Sequence, residues 1–433
     1  MSILQQIMEN SNQRLVKSKL EKSEKLREEK KKNAPDFSQP VTGEILKDST
    51  KKGKQRPWKK HKELSILVAE SYDRLSKNRH FGTARYLQIL SEDGELDITR
   101  LKTPYDKRRD NVLNCSEWLN FDVCENGHHK LKSAEFCRGR VCPICSWRRS
   151  CRIADQVKKV AHRAKEKAKG RWIFLTLTMR NVPFEDLHKA IGHMLTSFSK
   201  RLVRYVNFKK AVHGYLRSLE VTRNLDKFSP SYNTFHPHLH VLLYVKSSYF
   251  YRYYIKQDEW TEMWKKALQI DYRPNVDVRI VKAKKISKDT KELMESIDLD
   301  DVSEDLTAGA IAETAKYSVK HSDLVVYKNT CYCQKECKCG NKKFGNFPDQ
   351  LVDEEKTDFS IFAFDSILAR RQLKAYGGLL REVFKELKLD DVDADDADLV
   401  GESENKSCTC EICQSALLEK VYRWIPGVNQ YMG

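Results

Sequence analysis

His236-Pro237-His238-Leu239-His240 runs directly into Val241-Leu242-Leu243-Tyr244-Val245, and the reading of this stretch decides the fold. Side chains alternate along a β-strand, so His238 and His240 fall on one face and Leu239, Val241 and Leu243 on the other. Two imidazoles side by side on a rigid strand are a common metal-ligand arrangement. His236 precedes Pro237 and reads equally well as a loop residue. Upstream, Trp172 to Thr178 is β-rich, and Leu187, Ile191, Met194, Phe198 and Leu202 then recur at helical spacing. Tyr215 to Thr222 reads as a second strand, and a polar loop with Asn224, Pro230 and Asn233 leads into the His strand. Trp260, Trp264 and Leu268 mark a second helix, and Val276, Val278 and Ile280 alternate as a fourth strand. The order βαββαβ is the ferredoxin-like arrangement, in which the first and third strands are central. The expectation is an α+β fold with a central antiparallel sheet. Its His strand is flanked by strands carrying Thr176 and Glu220.

Composition narrows the function. The chain has 433 residues, 79 Lys plus Arg and 61 Asp plus Glu, hence a net charge of +18 that favours polyanions, nucleic acid first. No apolar run approaches the roughly 18 residues needed to cross a bilayer. The N-terminal segment lacks the apolar core of a signal peptide, so the expected location is the cytoplasm, with no membrane partner. The thirteen cysteines cluster, which argues for metal over disulfides. The expected organisation is a basic mobile arm over 1–60, a helical region over 61–110 and a cysteine-rich zinc module over 111–155. A catalytic core would follow over 156–330, then a C-terminal region over 331–433 with a helix, an acidic loop and a cysteine cluster. The acidic stretches 288–305 and 386–404 read as solvated loops. Asp391, Asp393, Asp395 and Glu402 have calcium-loop spacing, but Asp396 replaces the Gly the turn requires.

Phosphoryl chemistry suits Mg²⁺ or Mn²⁺, which prefer a carboxylate among their ligands. Glu220 is the candidate to join His238 and His240, with a surface carboxylate on an edge strand as the equal alternative. Ala308 to Lys320 is helix-compatible and places Glu313 and Tyr317, four apart, on one face. Most of the 18 tyrosines pack as core residues with a polar tip. The setting lifts Tyr317, because Lys320, one turn beyond it, can lower its pKa or hold a phosphate, and Glu313 stands one turn before it; Lys316 and Lys320 are candidate DNA contacts. A tyrosine attacking DNA phosphate conserves the bond energy in a phosphotyrosine ester, and a carboxylate can then activate water.

Phe174 to Thr178, His236 to Leu243 and Glu313-Thr314-Ala315-Lys316-Tyr317-Ser318-Val319-Lys320 together resemble the three ordered motifs of rolling-circle plasmid replication initiators of Gram-positive bacteria. These are single-tyrosine members of the HUH endonuclease superfamily. The resemblance covers roughly residues 60 to 380 and includes Cys137 to Arg149 and Tyr376-Gly377-Gly378-Leu379. It implies an HUH nuclease core, with His238 and His240 as metal ligands, Tyr317 as nucleophile and Glu313 as activator of water. The implied partners are plasmid DNA, as double-strand origin and single-stranded nick site, together with host helicase and DNA polymerase. The Cys331 to Cys339 cluster and the acidic tail depart from shorter members.

Cys124, Cys137, Cys142 and Cys145 end in a CxxC and are zinc-ribbon-like, although His128 or His129 could replace one thiol and buried free cysteines are the alternative. Zn²⁺ there would present the basic helix from Trp147 onward, with Arg148, Arg149 and Arg152, to phosphates. Cys331, Cys333, Cys337 and Cys339 form a second set, and Cys408, Cys410 and Cys413 a third; whether either binds metal stays open. Two rival readings are a zinc-containing DNA-binding replication or transcription factor without nuclease activity, and an HUH relaxase or transposase. Relaxases usually carry the tyrosine before the histidines, the reverse of the order here.

Overall fold

The strand Phe235–Lys246, twelve residues long, is buried on both faces over its second half, where Val241 to Val245 are each at most 1 % exposed. Such a continuous apolar run requires cover above and below the sheet. In this computed structural model the described residues are 43–77, 85–90, 96–281, 288–297, 299, 306–333, 339, 342–343, 351–394, 397–401 and 417–433. The expected N-terminal arm up to residue 42, Cys337, Cys408, Cys410, Cys413, Asp395, Asp396 and Glu402 lie outside them. The chain forms two units, the larger comprising residues 47–117 and 135–402, the smaller 1–46, 118–134 and 403–433.

The larger unit holds a five-stranded sheet. Its strands are β1 (Gly170–Thr178), β2 (Val212–Arg223), β3 (Phe235–Lys246), β4 (Val276–Ile280) and β5 (Lys374–Gly378), in the order β5-β2-β3-β1-β4 with every neighbouring pair antiparallel. The His strand, β3, is therefore central, between β1 and β2. Helices α1 (Trp58–Lys77), α2 (Pro143–Lys167), α3 (Phe184–Thr196), α4 (Gln257–Leu268), α5 (Ala308–Ala315), α6 (Glu354–Leu368) and α7 (Leu379–Glu386) belong to the same unit.

The helices form for the reason their spacing suggests. Leu187, Ile191 and Met194 of α3, and Trp260, Trp264 and Leu268 of α4, are fully buried. Trp264 also donates its indole N–H to the Thr178 carbonyl at 2.8 Å, which satisfies a polar group that burial would otherwise leave costly. The opposite face of the sheet meets α2 and α7, where Leu216, Ile153 and Phe384 line one cavity.

The acidic segment after α7 is not a solvated loop throughout. Asp393 is buried, pairs with Arg140 at 2.6 Å and accepts both the Leu373 and Lys374 amides at 2.9 Å. A carboxylate can be buried when donors meet it on several sides.

In the smaller unit, Leu418–Ile425 pairs antiparallel with Trp118–Val123 and with Gln430–Met432, and Trp118–Val123 also pairs with His129–Ala134. The middle of the expected cysteine module, residues 118–134, is thus sheet partner to the C-terminus. Lys420–Glu44 at 2.8 Å adds a pair from the residues just before the larger unit begins.

Tyr376-Gly377-Gly378 has a local physical reason. β5 crosses β2 so closely that a Cβ on Gly377 would lie 2.2 Å from the Tyr215 ring, and one on Gly378, at φ +57°, would lie 2.4 Å from the His213 carbonyl oxygen. Gly378→Ala is expected to destabilise the fold by about 2 kcal/mol or more, read as a fall in Tm. An unchanged Tm would show that the crossing accommodates a side chain.

Candidate metal centre and tyrosine turn

Register builds the centre. Glu220 is the direct cross-strand partner of His238, and His240 stands between Ser218 and Thr176. Direct partners share a face, so Glu220 projects with both histidines. The connection between β2 and β3 fixes that register: Asn224 donates to the Thr234 carbonyl, Asn233 donates back to Asn224, and Asn233 adopts φ +61°. Sequence leaves this register open, because a slip of one residue would turn Glu220 away. His236 lies inside β3, with its ring 5.3 Å from that of His238.

The three groups meet at one oxygen. Glu220 Oε2 lies 2.8 Å from His240 Nε2 and 3.2 Å from His238 Nε2. The remaining ring nitrogens are engaged from behind, His238 Nδ1 at 3.2 Å from the His236 carbonyl and His240 Nδ1 at 3.4 Å from Thr176 Oγ1. Such backing orients each imidazole and turns its Nε2 toward a ligand. Two imidazoles and a carboxylate converging within 4.8 Å form a donor set able to hold a divalent cation.

A cation of the chain's own already touches that oxygen. Lys316 Nζ lies 2.7 Å from Glu220 Oε2 and 2.7 Å from Glu313 Oε1, and Glu313 Oε1 is 4.0 Å from His240 Nε2. Thr290 donates its hydroxyl to the other oxygen of Glu313. Burial works to raise both carboxyls, but the two histidines and Lys316 hold Glu220 well below the ordinary carboxylate range, and Lys316 with His240 holds Glu313 below it. Burial works against the Lys316 ammonium, yet the two carboxylates outweigh it and keep the group charged.

The shared helix face expected for Glu313 and Tyr317 does not form, because α5 ends at Ala315 and Lys316 turns to φ −54°, ψ 167°. Tertiary hydrogen bonds override helical spacing here. The Val221 amide donates to the Ser318 carbonyl at 2.9 Å, and Lys374 Nζ donates to the Thr314 and Lys316 carbonyls and to Ser218 Oγ at 2.8 to 3.0 Å. Lys374 is a buried lysine that ties the end of α5 to β2, and nothing in its spacing announces the role. Lys316 consequently reaches into the carboxylate pair, whereas Tyr317, 7 % exposed, packs its ring 4.5 Å from His321 and 6.4 Å from His61. His61 also stacks on Trp147 at 5.1 Å. Lys320 is the more open lysine, 3.9 Å from Glu220 Oε1.

The arginines expected to face DNA are used internally. Arg148 donates to the Leu399 and Val400 carbonyls at 2.9 Å, Arg149 to the Val392, Gly139 and Arg138 carbonyls, and Arg152 lies 3.9 Å from Asp398. They clamp the segment after α7 onto α2. Their fork of donors suits backbone carbonyls as well as phosphate.

The cysteine set differs by one member from the expected one. Cys115, Cys137, Cys142 and Cys145 converge, with sulfur pairs at 3.5, 3.6 and 3.7 Å. Tetrahedral zinc with bonds of about 2.3 Å has sulfur–sulfur edges of about 3.8 Å, so the geometry fits that ion. The amides of Cys137, Arg138 and Gly139 point at these sulfurs at 3.2 to 3.4 Å, as suits thiolates. Cys124 belongs to the smaller unit, where its sulfur lies 3.3 Å from His128 Nδ1; His129 instead sits against Tyr422. Cys115 takes its place because the turn after residues 104–113 returns to the CxxC at the start of α2, a contact that linear spacing does not reveal.

A family profile described as "Replication protein" matches residues 128–432. Among curated relatives, a protein named "Protein rep" from Bacillus amyloliquefaciens is 35 % identical over 90 % of this chain and 97 % of its own. Others of that name, from a Bacillus species and from Streptococcus pneumoniae, are 40 % and 35 % identical over 72 % and 81 % of this chain, and over 90 % and 86 % of theirs. No solved structure gives a significant match.

The packing around Tyr317 has a pH consequence. Both ring nitrogens of His61 and Nε2 of His321 are buried without a hydrogen-bond partner. Burial, with repulsion from Lys60, pushes His321 down from 6.5 to about 3, and burial with repulsion from His321 pushes His61 well below 6.5. The folded state keeps these rings neutral while the unfolded chain protonates them. Their contribution is therefore complete above pH 6.5 and is lost as pH falls below it, by up to about 1.4 kcal/mol per pH unit for each ring. Tm should drop on acidification below pH 6.5 and drop less steeply in His321→Phe. An identical acid limb in that variant would assign it to other groups.

Proposed function

The chain belongs to the replication protein family, the rolling-circle plasmid initiators that its three motifs resemble, and from that membership we propose that it starts plasmid replication by nicking one strand of the double-strand origin through a tyrosine ester. The observation that carries this reading is the convergence of Glu220, His238 and His240 on a central strand beside the Glu313–Lys316 pair and the Tyr317 turn. The sheet order, with the strand before α3 and the His strand at its centre, supports a ferredoxin-like HUH nuclease core. The net charge of +18 suits plasmid DNA as the substrate.

His238, His240 and Glu220 would hold Mg²⁺ or Mn²⁺, which when bound polarises a phosphoryl oxygen of the scissile phosphate. The chain's own residues do the rest. Tyr317 Oη forms the new bond to phosphorus, the bond to the 3′-oxygen breaks, and that oxygen takes up a proton to become the 3′-OH that primes synthesis. Tyr317 is buried, so reaching the phosphate requires residues 316–320 to swing away from His61 and His321. Lys316 stands at the start of that segment, and its ammonium, bridging Glu220 and Glu313, would have to release Glu220 for the turn to move. At termination water attacks phosphorus, Glu313 takes the proton and the phosphotyrosyl bond breaks; transfer of the DNA to a new 3′-OH is the alternative exit. Glu313 is ionised and partly open, as that role needs.

Cys115, Cys137, Cys142 and Cys145 would bind a structural Zn²⁺ that anchors the start of α2. Host helicase and DNA polymerase would extend the primed strand. None of the described helices is long and apolar enough to cross a membrane.

Incubation of the full chain with a single-stranded origin oligonucleotide and Mn²⁺ should give a DNA-linked band stable to SDS. Tyr317→Phe should abolish it; persistence would remove Tyr317 as nucleophile. Glu313→Ala should still nick but release product at least about tenfold more slowly, and unaltered release would remove the water-activating role. Lys316→Ala should bind Mn²⁺ about tenfold more tightly by calorimetry, since a competing ammonium is gone. Equal affinity would show that Lys316 and the metal do not compete.

A further inference from the structure

We propose that Cys331, Cys333 and Cys339 form a second thiolate site that binds Zn²⁺, independent of the Cys115 cluster. Their three sulfurs lie within 4.8 Å of one another. Cys331 is buried and the other two are half-buried, so the set is shielded but reachable by an ion. The backbone has an architectural need for a cross-link at this point. Thr330–Cys331 pairs in parallel with Lys342–Lys343, two residues on each side. Parallel strands ordinarily require a crossover of a dozen or more residues, usually a helix, and so short a ladder holds little by itself. An ion gripping Cys331, Cys333 and Cys339 would cross-link the chain beside that short ladder.

The donor chemistry selects the ion. Soft thiolates favour Zn²⁺ over Mg²⁺ or Mn²⁺, so this site and the His238–His240–Glu220 centre would load different metals from one mixture. Three sulfurs leave one tetrahedral position for a further donor. Cys333 and Cys339 also line a cleft of about 450 Å³ with Tyr327, Tyr332, Lys328 and Lys356. Tyr332 accepts the Tyr327 amide at 3.0 Å, which ties Tyr332, between Cys331 and Cys333, to another residue of that cleft. The ion therefore fixes one wall of the cleft.

The test is metal content and thiol protection in the full chain. Elemental analysis of protein purified without chelator should give about two zinc ions per chain, falling to about one in Cys331→Ser/Cys333→Ser. Because a variant can lose metal by misfolding, wild-type protein should also be alkylated with and without a zinc chelator and mapped by mass spectrometry. Protection of Cys331, Cys333 and Cys339 that chelator abolishes supports the site. Alkylation of all three without chelator, a disulfide within their peptide, or a zinc content unchanged in the double variant would overturn it. Cys115, Cys137, Cys142 and Cys145 are mapped in the same digest, so failure at one cluster is distinguishable from failure at the other.

Discussion

A single buried carboxylate oxygen, Oε2 of Glu220, organises the larger unit. Two imidazoles and one ammonium lie within 3.2 Å of it. An ionised carboxylate at 1 % exposure would be prohibitively costly alone. Each partner arrives from a different place: His238 and His240 from the adjacent strand, Lys316 from the end of α5. The register of β2 on β3, the end of α5 and the direction of the chain after it must therefore all agree. Lys374 enforces the second of these from below by taking the carbonyls that the helix end leaves without intrahelical donors.

The same arrangement separates two residues that sequence spacing groups together. Glu313 stays on the helix beside Lys316 and His240, while Tyr317, past the break, packs against His321 and His61. Tyr317 is buried, so exposing its hydroxyl would require residues 316–320 to open locally. Segments that open locally are drawn from the less stable parts of a fold, and two buried histidines without hydrogen-bond partners make this one costly to keep closed in acid. The fold thus holds a charged centre and a neutral aromatic box on either side of one turn.

Periodicity made much of the sheet legible. The strand beginning at Phe235 announces itself by alternation followed by an apolar run, and the helical spacing of Leu187, Ile191 and Met194, or of Trp260 and Trp264, places the helices that cover it. The shared face of His238 and His240 follows from the period of a strand alone. Glu220 could be nominated but not placed, because its orientation depends on how the connection from Asn224 to Thr234 closes.

Local pattern by itself determined four strands of the central sheet and the helices between them, the histidine pair, the clustering of thiols and the basic charge, since these depend only on neighbours in the chain and on composition. Only the tertiary structure decided which residues meet. Cys115 replaces Cys124 because a turn returns to α2, Arg148 and Arg149 are consumed by carbonyls some 250 positions away, and α5 stops at Ala315 because Lys374 and Val221 bind the backbone beyond it. In each case the deciding partner is distant in sequence, and a hydrogen bond or ion pair formed in a desolvated interior outweighs the few tenths of a kcal/mol per residue that local propensity supplies.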